Sequence, residues 1–176
     1  QYGNQILPTT YLRTDIPSDG AEGGAPIFDL DGRFVGMIVI SLPEIRSSFL
    51  LPAAAVERVR AALMQGGRMQ YARLGFSARQ RVDANENLQV CLDEIDDDGP
   101  ARQAGLEKGD VLVQVGERTI TRHEDLREAV FFALPGKALL VKAQREGKVR
   151  SFQLKASARD SQELTLSSPA AAPEVP

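Results

Sequence analysis

The segment SDGAEGGAPIFDLDG, at positions 18–32, has the composition of a loop that could hold a reacting group. Its glycines and other small residues would let backbone N–H groups approach a bound atom closely. Before Pro26 the loop offers two acids, Asp19 and Glu22, but it lacks an obvious nucleophile. Two carboxylates on one loop are more typical of solvated side chains than of a catalytic pair. The sequence therefore predicts a loop shaped for chemistry that has lost the attacking group.

The composition excludes several classes of function. The 176 residues carry a net charge of −3 with both signs interspersed, which disfavours nucleic acid and anionic membranes as partners. One cysteine, Cys91, and one histidine, His123, cannot form an internal disulfide or a His/Cys metal cluster, so we expect no metal and no cofactor. No apolar run approaches the roughly 20 residues of a membrane span. The start, QYGNQILP, lacks an initiator Met and a signal-like segment, so we expect a fragment or a processed product.

The elements that must position the loop are mainly strands. The alternating segment TTYLRTD and the β-branched, aromatic segments APIFDL and RFVGMIVI predict strands, with a hairpin turn at Asp31-Gly32. In FLLPAAAVERVRAALMQG the apolar residues change to three- and four-residue spacing behind Pro52. This spacing predicts an amphipathic helix, which the glycine pair at 66–67 ends. We assign residues 1–66 to this first unit.

A second unit is predicted over residues 67–157. Its strands are expected in YARLGFSAR, NLQVCLDEI, DVLVQVGERTI, KALLVKAQR and KVRSFQLKA, and its helices in GPARQAGL and HEDLREAVFFAL. Such a set of short strands and two helices indicates a small α+β domain. Residues 158–176 are rich in Ser, Pro and Ala without periodicity, which predicts a disordered tail or a linker.

Three further features have ordinary interpretations. The acidic run DEIDDDG at 93–99 lacks the ligand spacing of a calcium loop and indicates a solvated turn. Cys91 alternates with its neighbours in a strand, which favours packing over reactivity. Glu57, Arg58 and Arg60 are expected on the exposed face of the first helix.

The second unit closely resembles the PDZ domain of bacterial HtrA-like proteins. The resemblance rests on GPARQAGLEKGDVLVQVGERTITRHEDLREAV followed by PGKALLVKAQREGK, and it covers nearly all of residues 69–156. In this family, a loop before one strand offers backbone N–H groups to the terminal carboxylate of a peptide. The peptide then adds as a strand in the groove between that strand and the longer helix. The resemblance therefore implies an extended or C-terminal peptide as the ligand.

The resemblance also implies which residues bind the peptide. The carboxylate loop corresponds to Arg73, Leu74, Gly75 and Phe76, where Gly75 permits the turn and Phe76 caps an apolar pocket. The pairing edge corresponds to Ser77, Ala78 and Arg79, and the helix side of the groove to His123, Arg127 and Val130. The alternative is that His123 is only a polar residue of the first helical turn and that Val130 is a core side chain.

The first unit resembles the end of the trypsin-like serine protease domain that precedes the PDZ domain in the HtrA/DegP-like family. The segment LRTDIPSDGAEGGAPIFDLDGRFVGMIV, followed by FLLPAAAVERV, carries this likeness. The alignment puts Gly23 at the nucleophilic serine and Ala21 at a glycine of the oxyanion loop, with Glu22 between them. Gly23 has no hydroxyl to attack a carbonyl, and the segment with the family's catalytic His and Asp is absent from this chain. The catalytic set is therefore predicted to be absent.

Three explanations for Gly23 stay open: a natural pseudoprotease, an active parent disarmed by substitution, or an alignment displaced by one residue. The loss at Ala21 favours the first. The predicted fold is mainly β with α: the C-terminal strands of a trypsin-like β-barrel, then a PDZ domain. The predicted function is that of an inactive HtrA-like protein that binds peptides in quality control or scaffolding. The alternative is a fragment or disarmed form of an active HtrA-type serine endopeptidase.

The resemblance further implies the partners and the setting. Unfolded or envelope proteins are the expected ligands, a homotrimer is the expected assembly, and the periplasm is the expected compartment. We do not expect residues 1–64 to form an independent domain, because a few barrel strands cannot bury both faces alone. They are expected to pack on the remainder of the protease barrel.

Overall fold

The computed structural model describes residues 7–16, 23–66 and 69–159. The first unit is a four-stranded antiparallel sheet followed by a helix. Its elements are β1 (Leu12–Thr14), β2 (Pro26–Phe28), β3 (Phe34–Leu42), β4 (Ser47–Pro52) and α1 (Ala53–Gly66). The strands lie in the order β1-β4-β3-β2. The hairpin predicted at Asp31-Gly32 joins β2 to β3, and Gly32 takes the left-handed conformation (φ +77°) that favours glycine.

The first unit has a small core. Ile38 and Leu50 are buried on one face of the sheet and are flanked by partly buried apolar residues. Several large apolar side chains stay exposed in the same unit: Leu12, Phe28, Leu30, Phe34, Val39, Leu42 and Ile45. The described part of the sheet therefore leaves much apolar surface uncovered.

The second unit is a five-stranded antiparallel path with two helices and two short additional pairings. Its elements are β5 (Ala72–Arg73), β6 (Phe76–Val82), β7 (Leu88–Ile95), α2 (Pro100–Gln103), β8 (Val111–Val115), β9 (Arg118–Thr119), α3 (His123–Phe132), β10 (Ala138–Arg145), β11 (Lys148–Lys155) and β12 (Ser157–Ala158). The sheet order is β11-β10-β8-β7-β6, with β9 on β8 and a separate pair of β12 and β5. Its core includes Val90, Leu92, Leu106, Leu112, Val141 and Leu154.

Three expectations need refinement. The single strand predicted over YARLGFSAR is two strands, because the chain turns at Leu74 and Gly75 between β5 and β6. Ala158, predicted to belong to the tail, lies in β12, which pairs with β5, and residues 160–176 of the predicted tail lie outside the described residues. Arg58 is not on the exposed face of α1: it is half-buried, and its Nη2 donates to the carbonyl of Gln70 at 2.9 Å.

A buried ion pair ties β10 to the loop before β8. The Arg145 guanidinium donates to both carboxylate oxygens of Asp110, at 2.7 and 2.8 Å, and to the carbonyl of Gly105 at 2.9 Å. The Asp110 carboxylate also accepts from the backbone N–H of Glu107. Burial alone would raise the pKa of Asp110, but these hydrogen bonds and the Arg145 charge outweigh it and lower that pKa. Asp110 is therefore held as an anion inside the domain.

The two units pack against each other through the back of α3. Phe131 is buried together with Leu51 and Ala55 of the first unit. On the same helix the buried Glu128 accepts hydrogen bonds from Thr10 (2.7 Å) and Thr9 (3.3 Å) and pairs with Arg118 at 3.0 Å. α3 is thus anchored on one side by the chain that precedes β1. No helix among the described residues combines the length and apolarity that a membrane crossing requires.

Candidate functional site

The candidate site is the groove between β6 and α3. β6 is the edge strand of its sheet and pairs with β7 on one side only. α3 lies next to β6. An edge strand presents unpaired backbone N–H and C=O groups that can template another strand. The arrangement can therefore accept an extended segment between β6 and α3.

The groove begins at a tight turn built around Gly75. Gly75 has φ +78°, and its carbonyl accepts a hydrogen bond of 3.0 Å from the backbone N–H of Asp96. A Cβ at this position would lie 2.7 Å from Cδ and 2.9 Å from N of Pro100, so the turn has no room for a side chain. Outside the turn, Arg73 pairs with Asp96 at 3.1 Å. Both flanks of the turn are thereby fixed to the loop that precedes α2.

Two backbone donors remain available at this turn. The N–H groups of Leu74 and Gly75 make no hydrogen bond to another described residue. Consecutive unpaired N–H groups at a turn form a concave site that favours an anion. The turn predicted as a carboxylate loop therefore has the donors that this role needs.

The floor of the groove is apolar. Phe76, Ala78 and Val130 are partly buried and pack against the core, close to the buried Leu74 and Leu126. Val130 thus contacts the core and keeps part of its surface exposed, so it has features of both interpretations that the sequence left open. An apolar side chain placed here would lose contact with water on several sides.

The exposed face of β6 carries a different chemistry. Ser77 and Arg79 alternate with Phe76 and Ala78, as expected for a strand with one face on the core. The Arg79 guanidinium pairs with the carboxylate of Asp93, which also lies 3.9 Å from Lys108. The hydrogen bond from Arg79 lowers the pKa of Asp93. The charge of Arg79 is already paired with Asp93. Arg79 is therefore better suited to offer its backbone N–H and C=O groups to an added strand than to act as a free cation.

The helix side of the groove starts at His123, the first residue of α3. The His123 side chain is partly buried and that of Arg127 is exposed. The backbone N–H of His123 donates to Oε1 of Gln80 at 3.0 Å. Gln80 is not among the predicted site residues, although its two-residue spacing from Phe76 and Ala78 would have indicated that it lies on the groove face of β6.

The protease-like loop is described only from Gly23 onward, and the predicted positions Ala21 and Glu22 lie outside the described residues. A Cβ added to Gly23 would have no atom within 4 Å. The next residues are anchored on β3, since the N–H of Gly24 donates to the carbonyl of Ile38 at 2.7 Å and the N–H of Ile38 donates to that of Ala25 at 2.9 Å. The loop therefore has space for a side chain at position 23. Across the ranges that the structure describes, no three His, Cys, Asp or Glu residues are placed to hold a metal ion.

Comparisons with known proteins agree with this architecture. Residues 72–156 match the family described as PDZ domain. A probable periplasmic serine endoprotease, DegP-like, of Pseudomonas fluorescens is 28% identical over 170 residues, which cover 89% of this chain and 35% of that protein. A serine protease, HtrA-like, of Staphylococcus aureus is 26% identical over 152 residues, which cover 77% of this chain and 20% of that protein. The chain thus spans about a third or less of these curated relatives.

A solved structure shares the fold. The HtrA-type protease AlgW with decapeptide gives a TM-score of 0.52 at 17% identity, and the match covers 77% of this chain and 48% of that one. The predicted fold class is confirmed: the chain is mainly β with helices, and a β-sheet unit precedes a PDZ domain.

Proposed function

We propose that the chain is an HtrA-family protein whose PDZ domain binds extended peptide segments by their C-terminal carboxylate, in the groove between β6 and α3. The observation that carries this proposal is the open edge of β6, which begins at a glycine turn with unpaired backbone donors. A strand added to β6 gains main-chain hydrogen bonds whatever its sequence, and the turn selects its free end. The ligand is therefore the end of a protein chain rather than a small molecule.

The preferred ligand ends in an apolar residue. Phe76, Ala78 and Val130 offer a partly buried apolar surface directly beyond the turn. Burying one aliphatic side chain there contributes about 1.5–3 kcal/mol. Peptide binding in this fold is supported by the AlgW protease, whose solved structure is described as that of the protease with a decapeptide.

The first unit is proposed to be the C-terminal part of a trypsin-like protease domain, occupying residues 1–66. Its exposed apolar side chains, such as Phe28, Leu30 and Ile45, support the view that it packs on the remainder of the barrel. Gly23 at the position of the nucleophile supports an inactive site, because glycine offers no oxygen for acylation. The working part of this chain is thus its PDZ domain.

The cellular role we propose is quality control or scaffolding of envelope proteins in the periplasm, within a homotrimer. Relatives named periplasmic serine endoproteases support the compartment. An open strand edge can pair with exposed C-termini and with unfolded segments. Main-chain hydrogen bonds to β6 do not depend on the ligand's sequence, whereas the turn selects a free C-terminus. Together these two features suit a protein that binds many different polypeptides.

A peptide library tests the binding proposal. Random seven-residue peptides with free C-termini are incubated with the 176-residue chain, and the bound fraction is sequenced. We expect enrichment of apolar residues at the last position, and the absence of any preference there would contradict the carboxylate-turn assignment.

A matched pair of variants locates the site. Val130→Glu places a carboxylate in the groove and should weaken binding of a selected peptide by about tenfold or more, from the lost apolar contact alone. Val149→Glu places the same charge on the exposed far edge of the sheet, where Val149 is 58% exposed, and should leave affinity unchanged. Equal affinities in both variants would place the peptide elsewhere.

The protease proposal has its own test. Position 23 has room for a side chain, so Gly23→Ser can be introduced into the complete parent protein. Casein hydrolysis should stay absent if the site is inactive in more than its nucleophile. Robust hydrolysis would favour the alternative, an active serine endopeptidase that lacks only this hydroxyl.

A further inference from the structure

One side chain crosses the far end of the groove. Oε1 of Gln80, on β6, accepts the hydrogen bond of 3.0 Å from the backbone N–H of His123 at the start of α3. In the part of the chain that the structure describes, no other side-chain hydrogen bond joins β6 to α3. The Gln80 side chain therefore spans the gap into which an added strand would extend.

The spacing along β6 shows which part of a ligand would meet this side chain, and this step rests on the proposed function. Residues two apart on a strand share a face, and an antiparallel ligand pairs with β6 one residue at a time. A ligand whose last residue lies beside Phe76 places its third-last residue beside Ala78. Its fifth-last residue then lies beside Gln80. The first two of these positions are apolar and packed on the core, whereas Gln80 is exposed.

We propose that Gln80 is a specificity-determining residue that sets the length of the segment bound in the groove. A ligand of three residues occupies the groove beside Phe76 and Ala78 and leaves the Gln80 contact with α3 intact. A longer ligand must first displace the Gln80 amide from the helix. The backbone N–H of His123 is one of the donors that a helix start cannot satisfy internally, so its lost partner has to be replaced by water. The loss of this contact partly offsets the binding free energy that a longer ligand gains from additional main-chain hydrogen bonds with β6.

Peptide length and the Gln80 side chain are varied together to test this. A peptide selected from the library is made as its last three and its last six residues, with an acetylated N-terminus and uncharged side chains in the added positions. Both are titrated calorimetrically into the 176-residue chain and its variants. Gln80→Ala should tighten binding of the six-residue peptide by about twofold to tenfold, the value of one net hydrogen bond, and leave the three-residue peptide unchanged.

Gln80→Glu should act in the opposite direction. A carboxylate at the start of a helix is favoured by the helix dipole, so the contact with α3 strengthens and the six-residue peptide binds more weakly. Arg81→Ala is the control, because Arg81 follows Gln80 on β6 and alternates to the opposite face. It should not change the affinity ratio of the two peptides.

The outcomes separate this proposal from the function on which it rests. If both peptides bind the wild type and neither Gln80 variant alters their affinity ratio, Gln80 does not set length and only this proposal is overturned. If neither peptide binds the wild type, the proposed function is overturned, and the role of Gln80 with it.

Discussion

Replacing Gly75 by alanine should damage the PDZ domain through two physical effects. The left-handed conformation at φ +78° costs an alanine roughly 1–2 kcal/mol. The new Cβ would also lie 2.7 Å from Cδ of Pro100 and 3.0 Å from Cα of Gly99, and relieving such overpacking costs roughly 1–3 kcal/mol. We therefore expect Gly75→Ala to lower the free energy of unfolding by about 2–5 kcal/mol, measured by urea denaturation of the 176-residue chain with circular dichroism.

Gly136 provides a matched control for this prediction. It has the same φ of +78°, but a Cβ added there would have no atom within 4 Å. Gly136→Ala should thus cost only the conformational part, about 1–2 kcal/mol. If the two variants lose equal stability, the contact with Pro100 relaxes without cost, and the close packing that we assign to the carboxylate turn is refuted.

Two further predictions concern the ion pair and the anchor of α3. Arg145→Met leaves the Asp110 carboxylate, which is 1% exposed, without its ion-pair partner. This change should lower the free energy of unfolding by about 3–5 kcal/mol at pH 7. The folded pKa of Asp110 is lowered, so the ion pair stabilises the protein fully above the unfolded pKa of about 3.9. This contribution is lost as the pH falls through the folded pKa. The free energies of unfolding of the wild type and of Arg145→Met, measured by urea denaturation, should therefore begin to converge below about pH 4. Thr10→Val removes the hydrogen bond of 2.7 Å to Glu128 and should destabilise the chain by about 1.5 kcal/mol, at the low end for a charged acceptor because Thr10 is exposed. An unchanged urea midpoint for Thr10→Val would mean that this anchor contributes nothing.

Much of the fold follows from local sequence signals. Asp31-Gly32 marks the turn between β2 and β3, and the change to three- and four-residue apolar spacing behind Pro52 marks α1 (Ala53–Gly66). These elements were predictable because each is specified within one short window, by turn chemistry or by period.

The missed features depend on residues far apart in the chain. The pair of β5 and β12 consists of two-residue strands with no period of their own. Glu128 has the composition of a solvated helix position, yet it is buried because Thr9 and Thr10 reach it from the start of the chain. Likewise, no local pattern predicts that the side chain of Gln80 satisfies the backbone of His123.

Some residues of the candidate site could be predicted from the sequence better than others. The turn at Gly75 and the apolar residue Phe76 follow from the segment RLGF, and the structure gives that turn its positive φ and its close packing. The availability of Arg79 as a free cation could not be judged, because its partner Asp93 comes from the neighbouring strand. Peptide contacts to His123, Arg127 and Val130 remain predictions.

The proposed function depends on the turn at Leu74 and Gly75, which we expect to bind a terminal carboxylate. The most direct test compares one library-selected peptide as its free acid and as its C-terminal amide, titrated calorimetrically into the 176-residue chain. We predict that the amide binds at least about tenfold more weakly, since hydrogen bonds to a charged acceptor contribute about 1.5–3 kcal/mol. Equal affinities for the acid and the amide would mean that the turn does not bind the terminal carboxylate.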